Sequence, residues 1–237
     1  MNPKRIPPTA ILDNLSYIGN PFKQKHFSAD TYLNTKIPGA NTDLEYALKF
    51  LYSYNGSTAT FNSYRRDLER LLQWAWNIEK TSLLNLKREH IEDFIRFCFN
   101  PPKAWIGLKN VARFKNKNGI RIGNEEWRPF VVILTKTEHS KNKKADTSQY
   151  CPSQAAIKGT FTALSSFYEY LIQENFVESN PVSLIKQKSK FIRKDQLKPI
   201  VRRISTLQWD YVLETAELMA TENPEEHERT LFIMNCL

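Results

Sequence analysis

The sequence has few glycines and few cysteines, and each shortage excludes a class of protein. Seven glycines in 237 residues are too few for a Gly-rich nucleotide-binding fold, or for a β-sandwich with its many tight turns. The three cysteines, Cys98, Cys151 and Cys236, lie far apart, so zinc-ligand spacings and a disulfide framework are both absent. This cysteine usage is typical of a reducing compartment, and we expect a cytoplasmic protein.

The motifs of common membrane, catalytic and metal sites are also missing. The sequence has no apolar run of about 18 residues that would span a membrane, and its N-terminus lacks the apolar stretch of a signal peptide. None of the four histidines has a second histidine three or four positions on, and HExxH, GxSxG, P-loop and GxGxxG patterns do not occur. We therefore expect no metal, no cofactor and no membrane partner, and we assign no catalytic residue in this chain.

Positive charge is in excess, and it is unevenly placed. The chain carries 34 Lys and Arg against 25 Asp and Glu, a net charge of +9. Residues 101–144 hold eleven basic and three acidic side chains, and residues 186–203 hold eight and one. Two basic blocks that flank a helical segment indicate a polyanionic partner, and double-stranded DNA is the first to test.

Apolar periodicity predicts a mainly α protein. Helices are predicted from a Thr42 cap to Gly56, from Thr58 to Ala75, from Lys87 to Phe99, from a Ser153 cap to Leu171, at Asn180-Pro181, from Thr206 and from Pro224. On the second helix, the polar face is predicted to consist of Arg65, Arg66, Glu69, Arg70 and Gln73. Short strands at 120–122 and 130–134 are predicted to pair as a hairpin.

The same patterns divide the chain. We expect an irregular N-terminal arm at 1–41, a helical domain at 42–185 with an insertion at 101–150, a basic linker at 186–204 and the start of a second domain at 205–237. Six of the last seven residues are apolar, and no Gly, Pro or basic cap follows them. We therefore expect the chain to be the N-terminal portion of a longer protein, truncated within a core-type helix.

Three groups of residues are candidates for phosphate contact, and each has a structural alternative. Tyr64-Arg65-Arg66 fits a groove edge, or Tyr64 is a core residue and the arginines pair with Asp67 and Glu69. The block at 186–203 fits phosphate contact or a solvated linker. The block at 103–144 interleaves basic residues with aromatic ones, which suits nucleic-acid contact or packing of the insertion on the helical core. Its aromatic residues are Trp105, Phe114, Trp127 and Phe130.

Two of the predicted helices carry a pattern that occurs in a known family. Residues 57–74 read Ser-Thr-Ala-Thr-Phe-Asn-Ser-Tyr-Arg-Arg-Asp-Leu-Glu-Arg-Leu-Leu-Gln-Trp, and residues 157–171 precede Asn180-Pro181-Val182. These stretches resemble the first and last conserved helices of the core-binding domain of tyrosine recombinases, the phage-integrase family. Residues 205–209 and 229–234 are similar to the beginning of that family's catalytic domain and to the helix before its first catalytic arginine. The order and spacing of the motifs carry the resemblance, which covers about residues 42–237.

The resemblance implies a SAM-like helical bundle that forms one half of a C-shaped clamp on duplex DNA, followed by a linker and an α-rich catalytic domain. It also implies a reaction in which a tyrosine attacks a DNA phosphate, while arginines and His or Lys side chains stabilise the transition state without a metal. This sequence departs from the family because no His-x-x-Arg occurs and no tyrosine is assigned as the nucleophile. The family also often has arginines where Gly159 and Ser165 stand.

We therefore expect the DNA-binding part of a site-specific recombinase that acts in DNA integration by a mobile element and self-associates on DNA with other subunits. The chain is expected to bind DNA without cutting it. The residues expected to contact DNA are Thr60, Tyr64, Arg65, Lys158, Thr160, Lys186, Lys188, Lys190, Arg193 and Lys194. Two alternatives stay open: a non-catalytic DNA-binding regulator or decayed integrase remnant, and a protein-interaction domain for acidic partners.

Overall fold

The computed structural model describes residues 7–19, 21, 36–118, 120–133, 144–192 and 205–236. The chain divides into two units, Met1–Arg193 and Lys194–Leu237. Most of the described chain is helical, and its strands are few and short, which confirms the prediction of a mainly α protein.

The helices of the first unit follow the predicted apolar periodicity closely. They are α1 (Leu15–Ile18), α2 (Ala40–Tyr52), α3 (Thr58–Trp74), α4 (Arg88–Phe99) and α5 (Gln154–Gln173), with a π-helical turn at Ala75–Glu79 after α3 and single 3₁₀ turns at Leu83–Asn85, Lys103–Trp105, Thr147–Gln149 and Lys188–Lys190. The Ser153 hydroxyl accepts from the Ala156 N–H at 3.1 Å, so the predicted cap of α5 is confirmed. Two predictions were wrong: α2 begins before Thr42, and residues 181–184 form turns rather than a helix.

The core lies between α2, α3 and α5, where large aromatic side chains meet. The Phe50 ring of α2 contacts Phe167 of α5 at a centroid distance of 5.2 Å and stacks on Tyr64 of α3 at 5.7 Å. The buried Tyr168 hydroxyl donates to the Leu83 carbonyl at 2.9 Å. Burial of these rings removes large apolar areas from water and fixes the three helices against one another.

The strands of the insertion pair differently from the prediction. Strand β1 (Ile106–Gly107) pairs in parallel with β4 (Phe130–Val131), and β2 (Phe114–Lys117) pairs antiparallel with β3 (Ile120–Gly123). The predicted pairing of 120–122 with 130–134 was therefore wrong. Asn118, which follows β2, has a φ of 51°, a left-handed conformation that asparagine adopts more readily than most residues.

The aromatic side chains of the insertion serve packing rather than exposure. Trp105, Trp127 and Phe130 are buried, and Phe130 contacts Phe97 of α4 and Tyr150 at centroid distances of 6.0 and 5.5 Å. The structural alternative for these aromatics is thus the one observed. The described basic residues of the insertion are left on its surface or drawn into ion pairs.

The polar face of α3 is covered by residues 7–18, although the sequence predicted a solvent-facing surface and an irregular arm. Glu69 is fully buried, and its Oε1 accepts from the N–H groups of Ile11 and Leu12 at 2.6 and 3.0 Å. The other carboxylate oxygen of Glu69 pairs with Arg113 from the insertion. Gln73 donates to the Thr9 carbonyl at 2.7 Å. This face of α3 therefore joins the N-terminal residues and the insertion to the helical bundle.

The second unit contains two consecutive helices, α6 (Thr206–Glu222) and α7 (Pro224–Asn235). The cap of α6 is Ser205 rather than Thr206. The Ser205 hydroxyl accepts from the Gln208 N–H at 3.2 Å, and the Gln208 side chain accepts from the Ser205 N–H at 3.0 Å. Proline at the first position of α7 fits its helix because that residue needs no N–H donor there.

Candidate nucleic-acid interface

The beginning of the predicted linker is fixed to the helical bundle by aromatic contacts. Phe191 is only 8% exposed, and its ring lies 6.1 Å from the ring of Phe161 on α5. The guanidinium of Arg96 on α4 lies 5.9 Å from the centroid of the Phe191 ring. The Lys188 ammonium lies 5.6 Å from the centroid of the Phe161 ring. Residues 186–192 consequently hold a defined position against α4 and α5.

This docking brings four of the predicted lysines to one part of the surface. Lys158, one turn before Phe161 on α5, is exposed; Lys186 and Lys190 are exposed, and Lys188 is half-buried. In the described part of the chain, none of the four forms an ion pair with a carboxylate. We call Lys158, Lys186, Lys188 and Lys190 the lysine surface. Their charges are available to an anionic ligand because no carboxylate among the described residues neutralises them.

An open groove of about 810 Å³ lies beside the lysine surface. One wall is the start of α4, and the other is formed by residues of 179–190; the lining includes Lys87, Arg88, Glu89, Glu92, Lys186 and Lys190. Glu92 is engaged by Arg88 and Arg96, at 3.8 and 3.2 Å, and Glu89 by Arg88 at 3.2 Å. The two acids are thereby neutralised locally, which leaves the lysines of both walls facing the groove.

Lys87 and Arg88 are functional candidates that the sequence reasoning missed. Both belong to the predicted third helix, where charged residues were assigned only to an exposed face. The dibasic Lys87-Arg88 pair at the helix start was the available signal. Its proximity to Lys186 depends on the turn at 181–184, which the sequence did not reveal.

Asn180 sets the path of the chain into this region. Its amide donates to Glu169 Oε1 at 2.7 Å and to the Ser165 carbonyl at 3.1 Å on α5. Its side-chain oxygen accepts from the N–H groups of Val182 and Ser183 at 2.9 and 3.2 Å. A single buried amide thus joins the turn to α5, and a satisfied amide of this kind specifies one backbone path.

Two candidates on α3 lie beside α5 and are half-buried. The Tyr64 hydroxyl is 3.4 Å from the Ser166 hydroxyl, and its ring also meets Tyr54 at a centroid distance of 4.9 Å. The Thr60 hydroxyl is 2.9 Å from that of Ser57 at the beginning of α3. Tyr64 is therefore mainly a packing residue, whereas Thr60 retains partial access to solvent.

Two other candidates are buried, and we revise their assignment. Arg65 is 7% exposed and donates to Asn14 Oδ1 at 2.6 Å and to Asn62 Oδ1 at 2.8 Å, and burial lowers its pKa. Thr160 is 2% exposed and donates to the Ala156 carbonyl at 3.1 Å. Neither side chain is available to a phosphate in this conformation. The predicted contacts Arg193 and Lys194 lie outside the described residues.

No metal-binding cluster is present in the part of the chain that the structure describes, since nowhere in it do three or more His, Cys, Asp or Glu side chains gather suitably. Among the same residues, no helix has the length and apolar character needed to cross a membrane. Comparisons of the chain with protein-family models, with curated proteins and with solved structures found no match.

Proposed function

We propose that this protein binds double-stranded DNA through the lysine surface and the adjoining groove. The observation that carries the proposal is the docking of residues 186–192 on α5, through Phe191 and Phe161 at 6.1 Å. Because of this docking, the lysines of residues 186–190 are held in place on the folded helical bundle. Cations fixed in this way lose less conformational freedom on binding than those of a free linker.

The chemistry of the surface favours phosphate contacts over base recognition. Lysine ammonium groups act as point charges, and contacts to phosphates position a protein on DNA without reading its sequence. The acids that line the groove, Glu89 and Glu92, are paired with arginines. A backbone that follows the groove would meet Lys87 on one wall and Lys186 and Lys190 on the other.

We further propose that the DNA binding serves site-specific recombination of the tyrosine-recombinase kind. Its support is the resemblance of residues 57–74 and 157–171 to the conserved helices of the family's core-binding domain. Both stretches are helical here, and they contact each other through Tyr64 and Ser166. Cutting and rejoining of DNA belong to this proposal only through the resemblance, because the sequence has no assigned catalytic set.

Salt titration of DNA binding tests the first proposal. Each phosphate contact contributes a slope of about 0.9 to log Kd against log salt, so the four lysines alone predict a slope of about 3 to 4. The variant K186Q/K188Q/K190Q keeps much of each apolar stem and should lower the slope by about 3. Fluorescence anisotropy with a labelled duplex of about 30 base pairs, longer than a typical recognition site, measures the Kd of the wild type and of the variant at each salt concentration.

A matched control separates this surface from general positive charge. K36Q/K80Q/R229Q removes three exposed basic side chains outside the two basic blocks and should leave the slope nearly unchanged. An equal loss in both variants contradicts the assignment of the surface. Wild-type binding that is absent or insensitive to salt contradicts DNA binding itself and favours the acidic-partner alternative.

A further inference from the structure

We propose that the β2–β3 hairpin is a second DNA-contact element, in which Lys115 and Lys117 hold phosphates. The inference rests on the proposed DNA binding and extends it to a surface built by the insertion, separate from the lysine surface. It is carried by the way the hairpin sorts its basic side chains between its two faces.

The strand register assigns each side chain to a face. Phe114 pairs with Gly123 and Asn116 with Arg121, whereas Lys115 pairs with Ile122. Because side chains alternate along a strand, Phe114, Asn116 and Arg121 share one face, and Lys115 and Lys117 share the other. The two lysines are thus adjacent on one side of a short ribbon.

The face with Arg121 is attached to the N-terminal residues. The Arg121 guanidinium pairs with Asp13, with Nε at 2.5 Å from Oδ2 and a second nitrogen at 2.8 Å from Oδ1. It also lies 3.9 Å from the centroid of the Tyr17 ring and 5.7 Å from that of Phe114. The charge of this arginine is therefore used within the protein.

The base of the hairpin is fixed just as firmly. Arg113 pairs with the buried Glu69 of α3 and lies 5.0 Å from the centroid of the Trp127 ring. Asn124 donates through its backbone N–H to the Arg113 carbonyl at 2.7 Å and through its amide to the Ala112 carbonyl at 2.8 Å. The hairpin consequently projects from an anchored base rather than from a free loop.

The lysines on the opposite face have no such partner. Lys115 and Lys117 are exposed, and neither forms an ion pair within the described residues. The nearby Glu126 is already paired with Lys109 at 3.1 Å. The insertion thus uses Arg113 and Arg121 internally and leaves Lys115 and Lys117 to the solvent or to a ligand.

The composition of the tip favours DNA over a protein partner. The exposed side chains of 115–118 are lysines and asparagines, which are donors to phosphates, and protein–DNA interfaces are polar and strongly positive. Protein interfaces instead depend on buried aromatic and aliphatic anchors, and 115–118 offer none. A two-stranded ribbon also has the width that the major groove of B-DNA accepts.

Charge removal at the hairpin tests the inference. K115Q/K117Q should lower the salt slope of duplex binding by about 2, since two phosphate contacts are lost. The control K36Q/K80Q removes two exposed lysines outside the two basic blocks and should leave the slope unchanged. A photo-crosslinker on Lys117→Cys, which shares the face of Lys115, in a C151S/C236S background, should then attach the tip to labelled DNA. The buried Cys98 does not compete, since burial raises its pKa to about 12.

The outcomes separate this inference from the proposed function. A slope that K115Q/K117Q leaves unchanged, while K186Q/K188Q/K190Q still lowers it, overturns the hairpin contact and leaves the lysine surface intact. A slope lowered by K115Q/K117Q, with crosslinking from position 117, supports the hairpin; a lowered slope without any crosslink overturns direct contact. A wild-type chain that does not bind duplex DNA overturns both proposals.

Discussion

Removal of the Glu69 carboxylate should destabilise the first unit strongly. Glu69 is fully buried and accepts from two backbone N–H groups, those of Ile11 and Leu12, while it pairs with Arg113. E69A leaves all three donors without their acceptor. A buried donor left unpaired costs about 1 to 3 kcal/mol, and breaking a buried ion pair costs about 3 to 5 kcal/mol. These costs are not additive, so we expect a loss of about 4 kcal/mol in the free energy of unfolding.

The glutamine variant tests which part of the network matters. In E69Q one oxygen still accepts from Ile11 and Leu12, but the amide presents N–H donors to the Arg113 guanidinium. We therefore expect a smaller loss of about 2 to 3 kcal/mol. E89A is the matched control, because the exposed Glu89 makes a surface pair with Arg88, and surface ion pairs contribute little to stability.

Urea unfolding followed by tryptophan fluorescence measures these differences. Five tryptophans are present, and only Trp209 belongs to the second unit, so a W209F background reports on the first unit alone. Limited proteolysis should also cut E69A within residues 7–18 sooner than the wild type. A loss of unfolding free energy below about 1 kcal/mol in E69A would refute this reasoning, because leaving even one buried donor without an acceptor costs at least that much.

Two further predictions concern the core. Asp43 is buried and accepts from Trp76 Nε1, the Ser82 hydroxyl and the Leu83 N–H. D43A should lower the free energy of unfolding in urea by about 3 kcal/mol. D43N should lower it far less, because its amide can donate to Ser82. Burial raises the pKa of Asp43 above 3.8, so the folded state binds the Asp43 proton more tightly than the unfolded state does. The wild type should therefore lose stability relative to D43N as pH rises from 3.8 through that raised pKa. A difference in unfolding free energy between the two proteins that does not change with pH would contradict this. Cys98 is buried, with its pKa raised to about 12, and the other two cysteines are exposed, so a thiol reagent should titrate two thiols in the native protein and three in denaturant. Reaction of Cys98 at the rate of the exposed thiols would show that this part of the core opens readily.

Local signals were sufficient to predict the long helices. The apolar repeat of α5 and its Ser153 cap lie within a few residues of one another, and helix formation depends on such short-range terms. The same holds for α3 and α4. The predicted ends differ from the observed ones by a few residues at most. The differences are largest at α2, which is capped by Gly39, at a φ of 87°, rather than Thr42 and ends at Tyr52 rather than Gly56.

Long-range contacts account for the errors. Arg65 and Glu69 are polar residues on one helical stripe, which ordinarily indicates solvent. Their burial depends on residues 11–14, more than 50 positions away, and on Arg113. No local pattern records such a partner. The parallel pairing of β1 with β4 has the same origin, because 24 positions separate Ile106 from Phe130.

The candidate site was predictable in charge but not in position. The lysines of 186–190 were singled out from composition alone. Their docking depends on Phe191, which stood in a segment with few periodic apolar residues, so its insertion between Phe161 and Arg96 had no sequence signal. The same limit applies to Lys115 and Lys117, which composition did not separate from the arginines beside them.

The parallel bridge between β1 and β4 has an evolutionary consequence. Gly107 and Val131 are register partners, so the segment between them leaves and re-enters the domain about 5 Å apart, one strand spacing. A segment whose two ends are neighbours can be inserted into a fold without separating the residues that flank it. Arg113 lies inside it and Glu69 outside it, and an isolated buried carboxylate is costly. We therefore expect related proteins that have this segment to keep Glu69, and related proteins that lack the segment to carry another residue at that position.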